Sequence, residues 1–459
     1  MLQSLHPEGD PGPDENGFLV VRLKAGAIKN RKGDLGEAAR EANLGELDRC
    51  MGSFKLSGKR LITSIEPGKL EQLEQVPYED DPAPKQSLSA YWRLDARQLT
   101  APLDEVETAL RSLPEVELVY REKTATDPVT PDDTHAELEG FLNPATAGVD
   151  ARWAWTQPNG DGAGMHVIDL EQGWLRGHED LPPYTLVYGD NRDGAGTYVG
   201  NHGAAVLGIV AGVDNDKGII GLAPQASVRV ASHWSAAAGP EHVADALMAA
   251  VTATPRPHVV LIEVQIGANP RLPAEADPAT LAAIRCAVAH GIIVVEAAGN
   301  SHFNLDTWVD AEGKRRLDRE SEDFVDSGAI MAGAGLSTPP HNRHFWSNYG
   351  SRVDCYAWGD SIVTAGYGDL GGSGSTSYTR SFDQTSGASA IIAGCTVLLQ
   401  GLYRASTEDL LRPRKMRALL SNPSTGTPQG PDRAGHIGVM PNLRKIVERV
   451  LKVDQRGAA

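Results

Sequence analysis

Residues 291–300 read GIIVVEAAGN. Ile292, Ile293, Val294 and Val295 are apolar in succession, so a strand built from them has no side that suits water. Such a strand needs cover on both faces, the condition met in a parallel sheet clothed by helices. The texture recurs from Gly164 onward. MHVIDL (165–170), SVRVAS (227–232), HVVLIEVQI (258–266) and GAIMAGAG (328–335) alternate with the helix-like GAAVLGIVAG (203–212), HVADALMAAV (242–251) and ATLAAIRCAVAH (279–290). That alternation predicts an α/β unit with a doubly wound, mostly parallel sheet. Closing helices, of which PNLRKIVERVL (441–451) is the clearest, complete a unit expected over 141–459.

A different texture precedes it. FLVVRL (18–23), LITSI (61–65), SAYWRLDA (89–96) and VELVYRE (116–122) read as strands, and LGEAAREANLGELDRCM (35–51) reads as a helix. Leu103, Val106, Leu110 and Leu113 fall at helical spacing in LDEVETALRSLP (103–114). The order βαββαβ over 17–122 predicts a small ferredoxin-like α+β domain. Residues 1–16 are acidic and rich in Pro and Gly and read as a flexible N-terminus. Residues 123–140 are polar and aperiodic and read as an exposed linker.

Composition bounds the function. A 459-residue chain with formal net charge −17 and no basic stripe does not suit nucleic acid, whose binding depends on displacing phosphate counterions. The longest apolar runs fall short of the roughly 18 residues a membrane span needs. The N-terminus lacks the basic patch and apolar core of a secretory signal, so the expected compartment is the cytoplasm if the chain is complete. A secreted protein whose signal had been removed would read the same. Cys50, Cys286, Cys355 and Cys395 stand singly, without metal-type spacing, and Cys286 and Cys395 are expected as buried free thiols.

In a doubly wound sheet, chemistry gathers beyond the carboxyl ends of the strands. HVID ends at Asp169 and IIVVEAAGN at Asn300; GNHGAAVLGIVAG opens a helix at His202, and QTSGAS presents Ser386 at a helix start. Each has an ordinary reading as a cap, turn or packing residue. Together an Asp, a His and a Ser are the parts of a nucleophilic triad: the His takes the Ser proton, and the Asp fixes the imidazole tautomer. A carboxamide and a helix N-terminal N–H would hold the developing oxyanion. A dinucleotide fingerprint is set aside because the glycines of GDGAGMHVID precede the strand. An esterase of the α/β-hydrolase type is set aside because the order is wrong and no G-x-S-x-G elbow occurs.

The chain resembles the subtilisin-like serine peptidases (subtilases) over roughly residues 141–450. VIDLEQG (167–173), NHGAAVLGIVAG (201–212), AAGN (297–300) and QTSGASA (384–390) match the family's motifs in the family's order. GIIGLAPQASVRV (218–230) and SNYGSRVDCYAWG (347–359) share its texture. The resemblance implies Asp169, His202 and Ser386 as triad, Asn300 as oxyanion donor, and polypeptide substrates cut through an acyl-enzyme. It also implies a substrate cleft walled by Gln265, Ile266 and Gly267 and by Ala297, Ala298 and Gly299, expected to be open and mainly apolar. Asp180 and Asn215 match ligands of a structural calcium, and no cofactor is needed for the chemistry. The N-terminal domain resembles the propeptide that inhibits its own catalytic domain, with self-cleavage expected within 122–141.

Three departures stand out: Gln384 where the family has Gly, Ala390 for Pro and Ala204 for Thr. None removes a reacting atom. Gln384 and Ala204 are the support for the alternative, a catalytically degenerate subtilase that serves as a binding or regulatory module; the intact set of reacting groups stands against it. Glu171, Glu263 and Glu296, near strand ends, raise a second option, a Glu-based dyad like that of the related sedolisins.

Overall fold

The computed structural model describes residues 15–451 apart from 25, 29–32, 75–86, 98, 100, 124–132, 193–197, 238, 241 and 432–434. The chain divides into two compact units, residues 1–127 and 128–459.

The N-terminal unit is a four-stranded antiparallel sheet. Its order is Ser57–Arg60, Tyr91–Asp95, Glu15–Leu23, Val116–Lys123. Leu19, Val21, Trp92, Leu94 and Val119 of the sheet meet Leu35, Leu47, Val106 and Leu110 of the helices in one buried core. The second strand lies at Ser57–Arg60, just ahead of the LITSI segment expected for it. Asp34 accounts for this shift: its carboxylate accepts the Gly36 N–H (2.8 Å) at a helix start and the Gly58 N–H (2.7 Å) of the strand. Gly58 also sits where a Cβ would lie 2.5 Å from Leu94 Cδ2, so close packing holds the strand there.

The C-terminal unit is built on nine strands in the order Thr427–Pro428, Val439–Met440, Cys355–Trp358, Ile330–Gly335, Ile293–Ala297, Val259–Ile262, His166–Glu171, Ser227–Ser232, Thr185–Tyr188. All neighbours are parallel except the first pair. Strands 259–262 and 293–297 are buried at every position, as the double-sided cover of a parallel sheet demands. Helices Tyr198–Ala211 and Gln384–Thr407 bury against one face, and Val243–Thr252 and Pro278–Ala289 against the other. Gln384–Thr407 is long and apolar enough to cross a membrane, contrary to the expectation from run lengths. However, 94% of its apolar window is buried inside the unit, as befits a core helix. Cys395 is buried and Cys286 half-buried, and both are free.

The linker expected over 123–140 is shorter than its composition suggests. Asp133 accepts the N–H groups of Asn215 and Lys217 (both 3.2 Å), Glu139 accepts that of Ile220 (3.0 Å), and Ala136 is fully buried. These polar side chains anchor residues 133–140 to the C-terminal unit. Residues 124–132 and 1–14, on which part of the self-cleavage expectation and the flexible N-terminus fall, lie outside the described residues.

Candidate active site

The carboxyl end of the His166–Glu171 strand delivers two acids. Side chains two apart on a strand share a face, so Asp169 and Glu171 point the same way. The residue that reaches the imidazole is Glu171: its Oε2 lies 2.9 Å from His202 Nδ1. Asp169, expected in that place, sits one pleat deeper, between Leu261 and Val230 of the neighbouring strands, and its Oδ2 accepts the Trp174 Nε1–H at 2.6 Å. Glu171 ends the strand and carries an extra methylene, which is why it, and not Asp169, meets His202. The sequence carries a signal for this, since the acid standing two residues before Gly173 in VIDLEQG is Glu171.

His202 lies in the second turn of helix Tyr198–Ala211, its ring edge-on to Phe382 at 5.4 Å between centroids. Gly203 follows it because a Cβ there would lie 2.3 Å from the Gly173 carbonyl oxygen and 2.5 Å from Trp174 Cδ1. The helix start is thereby pressed against the loop that leaves Glu171. A carboxylate can only accept, so the hydrogen between His202 and Glu171 belongs to Nδ1, and Nε2 is left as a base.

Ser386 occupies the first turn of helix Gln384–Thr407. Gln384, where the family resemblance places Gly, takes the left-handed backbone a Gly would take, with φ +67°. The turn ahead of the serine therefore survives the substitution at a cost in strain. Asn300 follows Gly299, whose φ is +92°. A Cβ on that glycine would lie 2.5 Å from the Arg271 carbonyl oxygen. The Asn300 Oδ1 accepts both the Thr385 N–H (3.0 Å) and the Thr385 hydroxyl (2.8 Å), so its Nδ2 is the end left to donate.

A cavity of about 600 Å³ joins these groups: Glu171, His202, Asn300 and Ser386 all line it. Of the expected substrate-wall residues, Gln265 and Ala297 line it, whereas Ile266, Gly267, Ala298 and Gly299 do not. The lining is more polar than the apolar pocket expected. Gln265 Oε1 accepts the Asn300 N–H at 3.2 Å, and Arg271, Glu263, Asp369 and Asp383 also contribute. Glu263 is half-buried and accepts the Ser389 hydroxyl at 2.5 Å. Glu296, the third acid considered, faces elsewhere: it accepts the Glu275 N–H (3.2 Å) and lies beside Arg352 (3.7 Å).

Burial sets the electrostatics. It pushes the carboxyls of Asp169, Glu171 and Glu263 well above the usual carboxylate range. It also pushes the His202 imidazole down, against the opposing pull of Glu263, Asp169 and Asp383.

Asp180 and Asn215, expected to hold calcium, are engaged within the protein. Asp180 Oδ2 accepts the Ile219 N–H (2.6 Å) and Asn215 Oδ1 the Lys217 N–H (3.1 Å), while Asn215 Nδ2 donates to the Glu179 carbonyl (3.0 Å). Asp180 Oδ1 is one unpartnered oxygen, where Ca²⁺ takes six to eight. Among the described residues no group of three or more His, Cys, Asp or Glu converges as metal ligands.

Comparison with known proteins places the chain in a family. The model of the subtilase family matches residues 171–438, beginning on Glu171. The chain is similar to an extracellular protease of Xanthomonas campestris pv. campestris, 26% identical over 363 residues covering 71% of this chain and 58% of that protein. It is also similar to an intracellular serine protease of Paenibacillus polymyxa, 26% identical over 279 residues covering 59% of this chain and 77% of that one. The match thus spans well under two thirds of the Xanthomonas protein's length. Among solved structures, a protease from Pseudoalteromonas arctica superposes with a TM-score of 0.51 at 21% identity, covering 70% of this chain and 99% of that one, a likeness of fold. With more than half its length matched by the family model, the chain belongs to the subtilase family.

Proposed function

We propose that this protein is a serine endopeptidase in which Ser386 is the nucleophile, His202 the general base, Glu171 the acid that orients it, and Asn300 an oxyanion donor. The observation that carries the reading is the Glu171–His202 hydrogen bond opening on a cavity that Ser386 and Asn300 also line. His202 Nε2 takes the Ser386 proton as Oγ attacks the scissile carbonyl, and Glu171 stabilises the imidazolium that forms. The Asn300 Nδ2–H and the N–H groups at the helix start, where the dipole favours negative charge, receive the oxyanion. His202 then protonates the leaving amine, and water releases the acyl group by the same route in reverse. No step calls on a cofactor.

The substrate class is polypeptide. The relatives include proteins named extracellular and intracellular, so family membership assigns no compartment. The N-terminal unit has its own core and precedes the catalytic unit, which supports its reading as a propeptide and intramolecular inhibitor. The anchoring of residues 133–140 favours a self-cleavage site ahead of Asp133.

The test is incubation of the pure protein with an unstructured polypeptide and, separately, with a fluorophosphonate probe. The expected result is hydrolysis, a label on Ser386, and loss of the N-terminal unit, all absent in Ser386→Ala. A wild type that binds peptide yet neither hydrolyses it nor takes the label would instead establish the degenerate binding module. The Gln384 backbone speaks against that outcome, because the turn ahead of Ser386 keeps the conformation a Gly would give it.

A further inference from the structure

Asp169 makes no hydrogen bond to His202, yet it is 1% exposed and lies on an interior strand of the sheet, a costly place for a carboxyl without a task. One of its oxygens is accounted for by the Trp174 Nε1–H. The other, Oδ1, has no donor, and neither has Glu171 Oε1, although both atoms are buried. The two side chains share a face of the strand, and Asp169 Oδ1 and Glu171 Oε1 are the two buried oxygens on it left without a donor. Two carboxylates would leave both oxygens unsatisfied, because each only accepts, whereas one proton between them satisfies both.

We propose that Asp169 holds this proton on Oδ1 and donates it to Glu171 Oε1, acting as a positioning residue that keeps Glu171 ionised and aimed at His202. The inference rests on the reading of Glu171 and His202 given above. The result is a continuous chain from Trp174 Nε1–H to Asp169, from Asp169 Oδ1–H to Glu171, and from His202 Nδ1–H to Glu171 Oε2. Trp174 can only donate, so Asp169 Oδ2 must accept and the proton is confined to Oδ1. The placement is also the one the surroundings favour. Burial pushes both carboxyls up; the Glu171 charge adds to the rise at Asp169, whereas Asp169 opposes the rise at Glu171. The other ionisable groups that bear on the pair are His202 and Tyr198 from the helix, Tyr367 across the cavity, Glu263 beyond the neighbouring strand, and Asp383 ahead of Ser386 acting through His202. When His202 becomes cationic during turnover, Glu171 meets it as an anion, while the Asp169 proton stays where it is.

The experiment is a comparison of Asp169→Asn, Asp169→Ala and Glu171→Gln in the full chain, measured as kcat and KM against pH. Asp169→Asn replaces the O–H donor by an N–H donor of the same shape and keeps an acceptor for Trp174. We expect its kcat at neutral pH to stay within about threefold of wild type, with the acid limb of the profile unmoved. Asp169→Ala removes the donor to Glu171, and kcat is expected to fall ~10²-fold at little change in KM, with the acid limb displaced. If Asp169→Asn instead falls ~10⁴-fold, as loss of a triad carboxylate does, then Asp169 works as an anion and the proposal is overturned. It is equally overturned if Asp169→Ala behaves as wild type. Should the alanine variant not fold, the asparagine variant alone decides. Glu171→Gln tests the underlying reading separately: full activity there would remove Glu171 from the triad whatever Asp169 does.

Discussion

Thr385 grips the carboxamide oxygen of Asn300 twice, with its backbone N–H at 3.0 Å and its hydroxyl at 2.8 Å. The residue before Ser386, the proposed nucleophile, therefore orients Asn300, the proposed oxyanion donor. Asn300→Ala should lower kcat ~10²–10³-fold with little effect on KM, because the lost bond is made in the transition state. Thr385→Val keeps the N–H and removes the hydroxyl, so its loss should be ~10-fold or less. Steady-state kinetics on a peptide substrate check both. A Thr385→Val variant as damaged as Asn300→Ala would mean that the hydroxyl does more than orient.

Gln384 holds a left-handed backbone, φ +67°, that costs a residue with a Cβ about 1–2 kcal/mol. Gly removes that strain but gains about 0.5–1 kcal/mol of freedom in the unfolded chain. Gln384→Gly in a Ser386→Ala background, where self-digestion cannot interfere, should raise Tm by about 1–3 °C. A lower Tm would show that the Gln side chain contributes packing that outweighs the strain.

Asp180 is fully buried, and burial raises its carboxyl to about 7 from the ordinary 3.8. The folded state therefore holds a proton that the unfolded state releases near pH 4. The associated stability is present below pH 4 and lost as pH rises toward 7. Asp180→Asn does not titrate, so its Tm relative to wild type should climb between pH 5 and pH 8, by about 3 °C or more at the upper end. Adding calcium or a chelator should leave that pattern in place. A wild-type Tm that drops sharply in chelator would show that Asp180 is a metal ligand.

Arg352 is completely buried and donates to both oxygens of Glu275 (2.6 and 2.9 Å), to Asp354 (2.7 Å) and to the Ser327 hydroxyl (3.1 Å). Arg352→Met fits the space but leaves buried acids without their cation. A destabilisation of about 3–5 kcal/mol is expected, read as a fall in denaturant midpoint. A midpoint near wild type would mean that Glu275 and Glu296 are neutral in the fold and need no partner.

Much of this arrangement is legible in the one-dimensional pattern. Ile292–Val295 and Val259–Ile262 are apolar without alternation, which points to interior parallel strands and places Asn300 just beyond a strand end. Ser386 precedes an apolar helix, and the small residues around it read as packing: Gly387 has room for no Cβ beside Ile362 Cδ1. Two readings went astray for related reasons. Asp133 and Glu139 look like linker residues because they are polar, but each is buried to satisfy backbone N–H groups of a loop some 80 positions later. LITSI looks like a strand because it is apolar, but Asp34 and the fit of Gly58 set the pairing a few residues earlier.

By itself the amino-acid order determined the sheet, the helix that carries Ser386, and the set of residue types able to break a peptide bond, because periodicity and element ends are local properties. Which acid serves His202 was left to the tertiary structure. Asp169 and Glu171 lie on one face of one strand, and only the position of a helix from another part of the chain decides which carboxylate comes within 2.9 Å of the imidazole.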